Sequence, residues 1–128
     1  MRLLLGDHHV QARRALKMML QEEPELELVG EAADAQGLLH LAEAQAPDLV
    51  LVDCQLPGGS IEDLISALHA RQPRPAVVVM SNDVDRSRKL LRAGVDAFVS
   101  KAGQPDWLLD KLRMYSRSVN TKEEMNRD

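Results

Sequence analysis

Four polar residues stand at the ends of short apolar runs, and their side chains could together transfer a phosphoryl group. They are Asp7, Asp53, Ser81 and Lys101. Two carboxylates brought together favour a shared hard cation, and Mg²⁺ accepts one or two carboxylates along with water and phosphate oxygens. Asp53 could attack phosphorus while Lys101 neutralises charge on the transferring group and Ser81 donates a hydrogen bond to it. The chemistry indicated is formation of an aspartyl phosphate.

Each of these residues also has an ordinary structural role to weigh. Asp7 and Ser81 could cap helices, and Lys101 could be a solvated charge. Asp53 is harder to explain in this way. It closes the apolar run Leu49–Val52, and a carboxylate that ends a buried strand must reach solvent or a cation. The combination of two acids, a hydroxyl and an ammonium therefore favours a site.

The elements that must position these side chains alternate between short extended runs and longer helical stretches. This alternation predicts an α/β fold of five βα units, a flavodoxin-like, doubly wound parallel sheet covered by helices. The predicted strands are Leu3–Gly6, Leu26–Glu31, Leu49–Asp53, Ala76–Met80 and Ala97–Ser100.

Polar interruptions predict the order of the strands. Glu27 interrupts the second run and Asp96 opens the fifth, and edge strands tolerate such residues better than strands covered on both faces. The predicted order is therefore 2-1-3-4-5. In such a sheet the ligand crevice lies beyond the carboxyl ends of the strands, at the switch between the first and third.

Two helices have clear sequence signals at their starts. The third has Ser60 and Asp63 in a capping-box arrangement before its apolar stripe, and the fifth opens at Pro105. The apolar stripe of the fifth helix is lost after Tyr115. We therefore predict a domain over residues 1–116 and a tail, a frayed helix end or a linker, over 117–128.

Length and charge exclude several classes of protein. A chain of 128 residues is the size of one compact domain. Its net charge of -4 argues against direct contact with nucleic acid. The lone cysteine, Cys54, excludes a disulfide framework, and no apolar run approaches the roughly 20 residues that cross a bilayer. We expect a cytoplasmic protein with no membrane contact.

Four segments, in order and at these spacings, resemble the receiver domain of two-component response regulators. The resemblance covers Met1 to Tyr115 and looks closest to the LuxR/NarL-type subfamily, whose members often carry a helix-turn-helix effector for transcription regulation. The segments are Leu3–His9, Leu49–Gly58, Val77–Asn82 and Arg92–Lys101.

The resemblance implies a role for each site residue. Asp53 would be the phosphoacceptor, and Mg²⁺ would be held by Asp7, Asp53 and the backbone carbonyl of Gln55. Ser81 would be the switch hydroxyl and Lys101 the lysine that pairs with the phosphoryl group.

The resemblance also implies partners and an output. The donor would be a sensor histidine kinase, and the domain itself would not be an enzyme. Phe98 stands at the aromatic switch position, where phosphorylation reshapes the face formed by the fourth helix, fifth strand and fifth helix. A homodimer through that face is a further expectation.

The sequence departs from the family pattern at several positions. Gly6 stands where an acid is usual, so reduced Mg²⁺ affinity is expected. Ile61 replaces a glycine, Asn82 is bulkier than the usual residue beside the switch hydroxyl, and Ala102 replaces a common proline. A phosphorylation-impaired pseudo-receiver that acts as a protein-docking module therefore remains an alternative.

Two other classes fit the sequence less well. Phosphatases that form an aspartyl phosphate need a second acid two positions after the nucleophile, where this chain has Gln55. A flavodoxin-like cofactor binder needs a hydroxyl- and glycine-rich loop after the first strand, where this chain has Asp7 and two histidines.

Overall fold

A computed structural model describes residues 1–101 and 105–125 of the chain. Strands and helices alternate throughout these residues. The strands are β1 (Arg2–Gly6), β2 (Glu27–Ala32), β3 (Leu49–Asp53), β4 (Ala76–Ser81) and β5 (Ala97–Ser100). The helices are α1 (Val10–Gln21), α2 (Ala35–Gln45), α3 (Ile61–His69), α4 (Val84–Arg92) and α5 (Pro105–Met125).

The strands form one parallel sheet in the order β2-β1-β3-β4-β5. This confirms both the predicted flavodoxin-like α/β class and the predicted strand order. The pairing register aligns the carboxyl ends, because Gly6 pairs with Val52, Asp53 with Met80, and Ser81 with Ser100. Side chains that follow these ends therefore meet at one edge of the sheet.

Alternate residues of the strands point to opposite faces of the sheet, and helices cover both faces. Leu4 and Val50 belong to one buried cluster, which α2 and α3 cover. Leu3 and Leu5 belong to the other, to which Leu112 of α5 contributes. The residues of β1 from Leu3 onward and all of β3 are buried, which agrees with their unbroken apolar sequences.

Within residues 1–101, three helix starts are fixed by side-chain caps. Ser60 accepts a hydrogen bond from the backbone N–H of Asp63, as the sequence predicted. Asp34 caps α2 and Asp83 caps α4 in the same way. Such a cap contributes roughly 0.5–2 kcal/mol.

The ends of some elements differ from the prediction by one residue. β4 continues through Ser81 because Ser81 pairs with Ser100 of β5, and β2 continues to Ala32 because Ala32 pairs with Gly6. α5 begins at Pro105, as expected, and runs to Met125, past the predicted boundary at residue 116. The division into 1–116 and 117–128 stays a prediction.

None of the helices in the described residues is long and apolar enough to cross a bilayer.

Candidate functional site

Two buried acids lie at the carboxyl ends of neighbouring strands. Asp7 follows β1 and Asp53 ends β3, with 0% and 2% of their surfaces exposed. Each carboxylate has one oxygen held by nearby backbone, because Asp7 Oδ1 accepts from His9 N at 3.0 Å and Asp53 Oδ1 accepts from Gln55 N at 2.8 Å. The second oxygen of each carboxylate is directed to a shared cation.

That cation is the ammonium of Lys101, which follows β5. Its Nζ lies 3.3 Å from Asp7 Oδ2 and also donates a hydrogen bond to Asp53 Oδ2. The backbone N–H of Lys101 bonds the carbonyl of Ser81 at 3.1 Å, which fixes the base of the side chain against β4. Burial by itself would lower the pKa of Lys101, but the attraction of Asp53 and Asp7 outweighs burial and raises that pKa above its usual 10.5.

Ser81 is buried at the end of β4, beside the start of α4. Its Oγ accepts a hydrogen bond of 3.0 Å from the backbone N–H of Asp83. Asp83 in turn caps α4, because its Oδ1 accepts from the N–H groups of Asp85 and Arg86. The hydroxyl is therefore linked to the first turn of α4 through a single residue.

Asp53, Ser81 and Lys101 line one cavity of about 280 Å³. Such a volume accommodates a phosphoryl group together with water. Asp7 is not among the lining residues and is joined to them through Lys101. The residues that line the cavity are Asp53, Cys54, Gln55, Ser81, Asn82, Asp83, Arg86 and Lys101.

A family comparison decides what kind of domain holds this cavity. The model of the response regulator receiver domain matches residues 3–113 of the chain. The chain belongs to the response regulator receiver family. It is a receiver domain of a two-component response regulator, and the resemblance seen in the sequence is confirmed.

The relatives of this receiver include regulators and enzymes. The nitrate/nitrite response regulator protein NarL of Escherichia coli (strain K12) is 30% identical over 112 residues, which are 86% of this chain and 52% of NarL. A protein-glutamate methylesterase/protein-glutamine glutaminase of Myxococcus xanthus (strain DK1622) is 32% identical over 120 residues, 89% of this chain and 34% of that protein. The chain thus spans about half or less of these relatives' length.

Solved structures give the same fold. A two-component response regulator of the LuxR family from Aurantimonas sp. SI85-9A1 has a TM-score of 0.83 at 23% identity, with 91% of this chain and 85% of that chain covered. At this identity the likeness shows the fold alone, and it supports the receiver topology described above.

Receiver domains generally bind Mg²⁺ at the phosphorylation site, and the donor set of this receiver fits such an ion. Asp7 and Asp53 supply two buried carboxylates at one edge of the sheet, and Mg²⁺ binds through one or two carboxylates while it keeps several waters. The described residues contain no group of three or more acidic, histidine or cysteine side chains placed to hold a metal. The roles predicted for Asp7, Asp53 and Gln55 as ligands stay predictions.

Apolar side chains surround Gly6, where the family usually has an acid. A Cβ built on Gly6 would lie 3.0 Å from Leu38 Cδ2, 3.3 Å from Leu56 Cδ2 and 3.4 Å from Val52 Cγ2. Leu38, Leu56 and Val52 are themselves buried. Gly6 supplies no carboxylate, and any side chain at this position would require the neighbouring methyl groups to move by a few tenths of an ångström.

Phe98, the predicted aromatic switch, lies outside the cavity of Asp53. It is half-buried on β5, pairs in register with Val79, and lines a separate groove of about 530 Å³. Leu91 of α4 and Met114 of α5 border this groove and are 54% and 64% exposed. The groove therefore lies on the face of α4, β5 and α5, which the sequence analysis predicts to be the output surface.

The other departures from the family pattern that the structure describes, Asn82 and Ile61, lie in different places. Asn82 is exposed and lines the cavity, so its bulk lies where a donor would enter. Ile61 is buried as the first residue of α3, and the left-handed turns of the preceding loop fall at Gly58 and Gly59, with φ of +105° and +130°. Ala102 lies outside the described residues.

Besides Cys54, sequence reasoning missed two residues of the cavity, Asp83 and Arg86. Both lie at the start of α4, just after Ser81. The available signal was an aspartate two positions after Ser81, which is a good helix cap, followed three positions later by an arginine.

Proposed function

We propose that this receiver accepts a phosphoryl group on Asp53 from a sensor histidine kinase and thereby alters the face formed by α4, β5 and α5. The observation that supports this most directly is the placement of Asp53. Its buried carboxylate lies in contact with the Lys101 ammonium, in a cavity that Ser81 also lines. These are the groups needed to attack phosphorus and to stabilise the charge that is transferred.

The transfer forms one bond and breaks one bond. A carboxylate oxygen of Asp53 bonds to phosphorus, and the bond between phosphorus and the donor's histidine nitrogen breaks. The electron pair stays on that nitrogen, which is protonated by solvent. A bound Mg²⁺ would supply positive charge to the transferring oxygens.

Lys101 and Ser81 contribute before and after the transfer. Before the transfer, Lys101 holds Oδ2 of Asp53, the oxygen that Gln55 does not bond. After the transfer, the same ammonium can pair with a phosphoryl oxygen. Ser81 can turn its hydroxyl hydrogen to that group. Because Ser81 Oγ accepts the N–H of Asp83, a movement of Ser81 acts on the residue that caps α4.

The added charge is large enough to bias such a movement. Phosphorylation adds about -1.5 to -2 charges and several acceptor oxygens. In this receiver the change occurs beside Ser81 and Lys101, and α4 carries Leu91 at the border of the output groove. A shift of α4 would therefore change the shape of the groove that Phe98 lines.

A second function is favoured by one observation. Gly6 supplies no carboxylate for Mg²⁺, and apolar side chains pack close to it, which is consistent with a pseudo-receiver that docks partners without phosphorylation. In either case we propose a cytoplasmic domain that is not itself an enzyme. A homodimer through the output face and regulation of transcription by the whole protein belong to the same proposal.

Intact-mass measurement separates the two functions. The chain is incubated with Mg²⁺ and acetyl phosphate, alongside Asp53→Asn and the control Asp63→Asn, which alters an exposed acid on α3. We expect the wild-type chain and Asp63→Asn to gain one phosphate and Asp53→Asn to gain none.

A wild-type chain that gains no phosphate under these conditions, or from a panel of histidine kinases, would favour the docking function. A gain that survives Asp53→Asn would show that another residue is modified.

A further inference from the structure

Arg86 lies on the first turn of α4 and lines the same cavity as Asp53, Ser81 and Lys101. Its backbone N–H bonds Oδ1 of Asp83 at 3.2 Å, so the start of the helix holds the residue at the mouth of the cavity. The strand order that brings Asp7, Asp53, Ser81 and Lys101 together does not predict the position of Arg86, because Arg86 lies on a helix.

The charges of the cavity leave a place for a second cation. Lys101 is shared between two carboxylates, those of Asp7 and Asp53. Among the side chains alone, without a bound Mg²⁺, one ammonium against two carboxylates leaves a net negative charge, which repels an anionic phosphoryl donor. Asp83 adds a further carboxylate to the lining, and its Oδ1 is occupied by two backbone N–H groups.

Arg86 is available to supply the missing positive charge. Within residues 1–101 and 105–125, its guanidinium takes part in no ion pair. By contrast, Arg13 lies by Glu31 and Arg113 bonds Glu23. A planar guanidinium can donate two parallel hydrogen bonds to a phosphate, and this geometry makes arginine a strong phosphate ligand.

We propose that Arg86 is a second phosphate-binding cation of this receiver, which binds the phosphoryl group of the donor and then that of phosphorylated Asp53. The inference rests on the proposed function and names a residue that recognises the transferred group. Among the predicted metal ligands only Asp7 and Asp53 supply carboxylates, because position 6 is a glycine. Lys101 and Arg86 would therefore neutralise more of the charge on the phosphoryl group. Arg86 should therefore speed formation of the aspartyl phosphate and slow its hydrolysis.

The test compares Arg86→Gln with a matched variant of the same helix. Arg88 is also an exposed arginine of α4 but does not line the cavity, so Arg88→Gln removes the same charge from a different place. Initial rates of phosphate gain from acetyl phosphate are measured by intact mass at low and moderate ionic strength. The decay of the phosphorylated chain is then followed after Mg²⁺ is removed with EDTA.

We expect Arg86→Gln to lower the initial rate about tenfold and to shorten the phosphorylated lifetime several-fold, since charge-assisted hydrogen bonds are among the strongest. Arg88→Gln should stay within about twofold of wild type, and Arg86→Lys should retain more of the rate than Arg86→Gln. Circular dichroism checks that each variant is folded, which is expected because both arginines are exposed.

Two outcomes would overturn the inference while leaving the proposed function in place. One is a wild-type rate and lifetime in Arg86→Gln. The other is an equal loss in Arg88→Gln, which would indicate a general effect of helix charge and not a bond to the phosphoryl group. A wild-type chain that takes no phosphate at all would overturn the proposed function, and the inference with it.

Discussion

The ammonium of Lys101 lies 3.3 Å from Oδ2 of Asp7, a residue 94 positions earlier in the chain. The same ammonium bonds Asp53, so residues from the ends of three strands form one charged cluster. The two acids would repel each other in the absence of the lysine. We therefore expect the stability of the fold to depend on Lys101, in addition to the chemical role proposed for it above.

Replacing Lys101 should lower stability in a way that depends on pH. Lys101→Met leaves two buried carboxylates without their cation, which should cost about 1–3 kcal/mol at neutral pH. The pKa of Lys101 is higher in the folded chain than its usual value of 10.5. The charged ammonium therefore contributes its full stabilisation of the fold at pH values below 10.5. The contribution is lost as pH rises through the folded pKa.

Urea unfolding at pH 8, 10 and 11 measures this effect. The difference in unfolding free energy between wild type and Lys101→Met should shrink at the highest pH. Lys89→Met, which removes an exposed lysine of α4, should show a small difference that does not shrink. A constant difference for Lys101→Met across the range would contradict the ion-pair explanation.

Asp96 joins several elements at the opposite edge of the sheet, so its removal should destabilise the fold. Its Oδ2 accepts from Val77 N at 2.7 Å and lies 2.8 Å from His69 Nε2, and its carbonyl accepts from the Tyr115 hydroxyl at 3.1 Å. Asp96→Ala leaves the N–H of Val77 and the ring of His69 without this partner. The expected loss is about 1–3 kcal/mol.

Thermal or urea unfolding checks this loss against Glu43→Ala, which alters an exposed acid of α2. Glu43→Ala should lie within about 0.5 kcal/mol of wild type, as surface substitutions usually do. Equal stability of Asp96→Ala and Glu43→Ala would mean that the contacts of Asp96 contribute nothing measurable.

Introducing an acid at position 6 should be costly unless the neighbouring leucine is also made smaller. Gly6→Asp forces atoms against Leu38 and Leu56, and overpacking of this kind costs about 1–3 kcal/mol. In Gly6→Asp with Leu38→Ala, the space released by the leucine admits the new carboxylate. The combined loss should therefore be smaller than the two single losses together.

Unfolding in the presence and absence of Mg²⁺ tests both parts of this prediction. Mg²⁺ should stabilise the double variant more than wild type, because a ligand that binds only the folded chain stabilises it by an amount that increases with the logarithm of its affinity. Gly6→Ala is the steric control, since it adds Cβ without a charge. Additive losses, with no gain in stabilisation by Mg²⁺, would contradict the packing argument.

The cap of α4 provides a fourth prediction. Asp83→Ala removes the acceptor for the N–H groups of Asp85 and Arg86 and should cost about 0.5–2 kcal/mol. Asp83→Asn, which keeps the acceptor oxygen, should recover most of the loss. Amide hydrogen exchange of residues in α4 should accelerate in Asp83→Ala, and unchanged exchange there would show that the cap does not hold the first turn.

The sequence was sufficient to predict the fold and the end of the sheet at which the polar strand-end residues meet. Glu27 and Asp96 marked the edge strands correctly, because a strand covered on both faces cannot easily accommodate charge. Once the order of the strands was predicted, Asp7, Asp53 and Lys101 had to end at one edge. These inferences depend on the regular geometry of parallel sheets and need no knowledge of side-chain positions.

The sequence did not predict which side chains meet within the cavity. Arg86 reaches it because of where α4 begins, and that start is fixed by the contact of Asp83 with Ser81. The sequence pattern also did not predict the length of α5. The apolar stripe ends near Tyr115, but the backbone remains helical to Met125. A helix can continue without a packed face once its first turns have formed.

The packing around Gly6 makes two positions of the chain depend on each other. A side chain at position 6 would have to displace the terminal methyl group of Leu38 by a few tenths of an ångström. Position 6 therefore limits which residues position 38 can accept, and the reverse holds as well. We expect substitutions at these two positions to be tolerated as a pair more readily than one at a time.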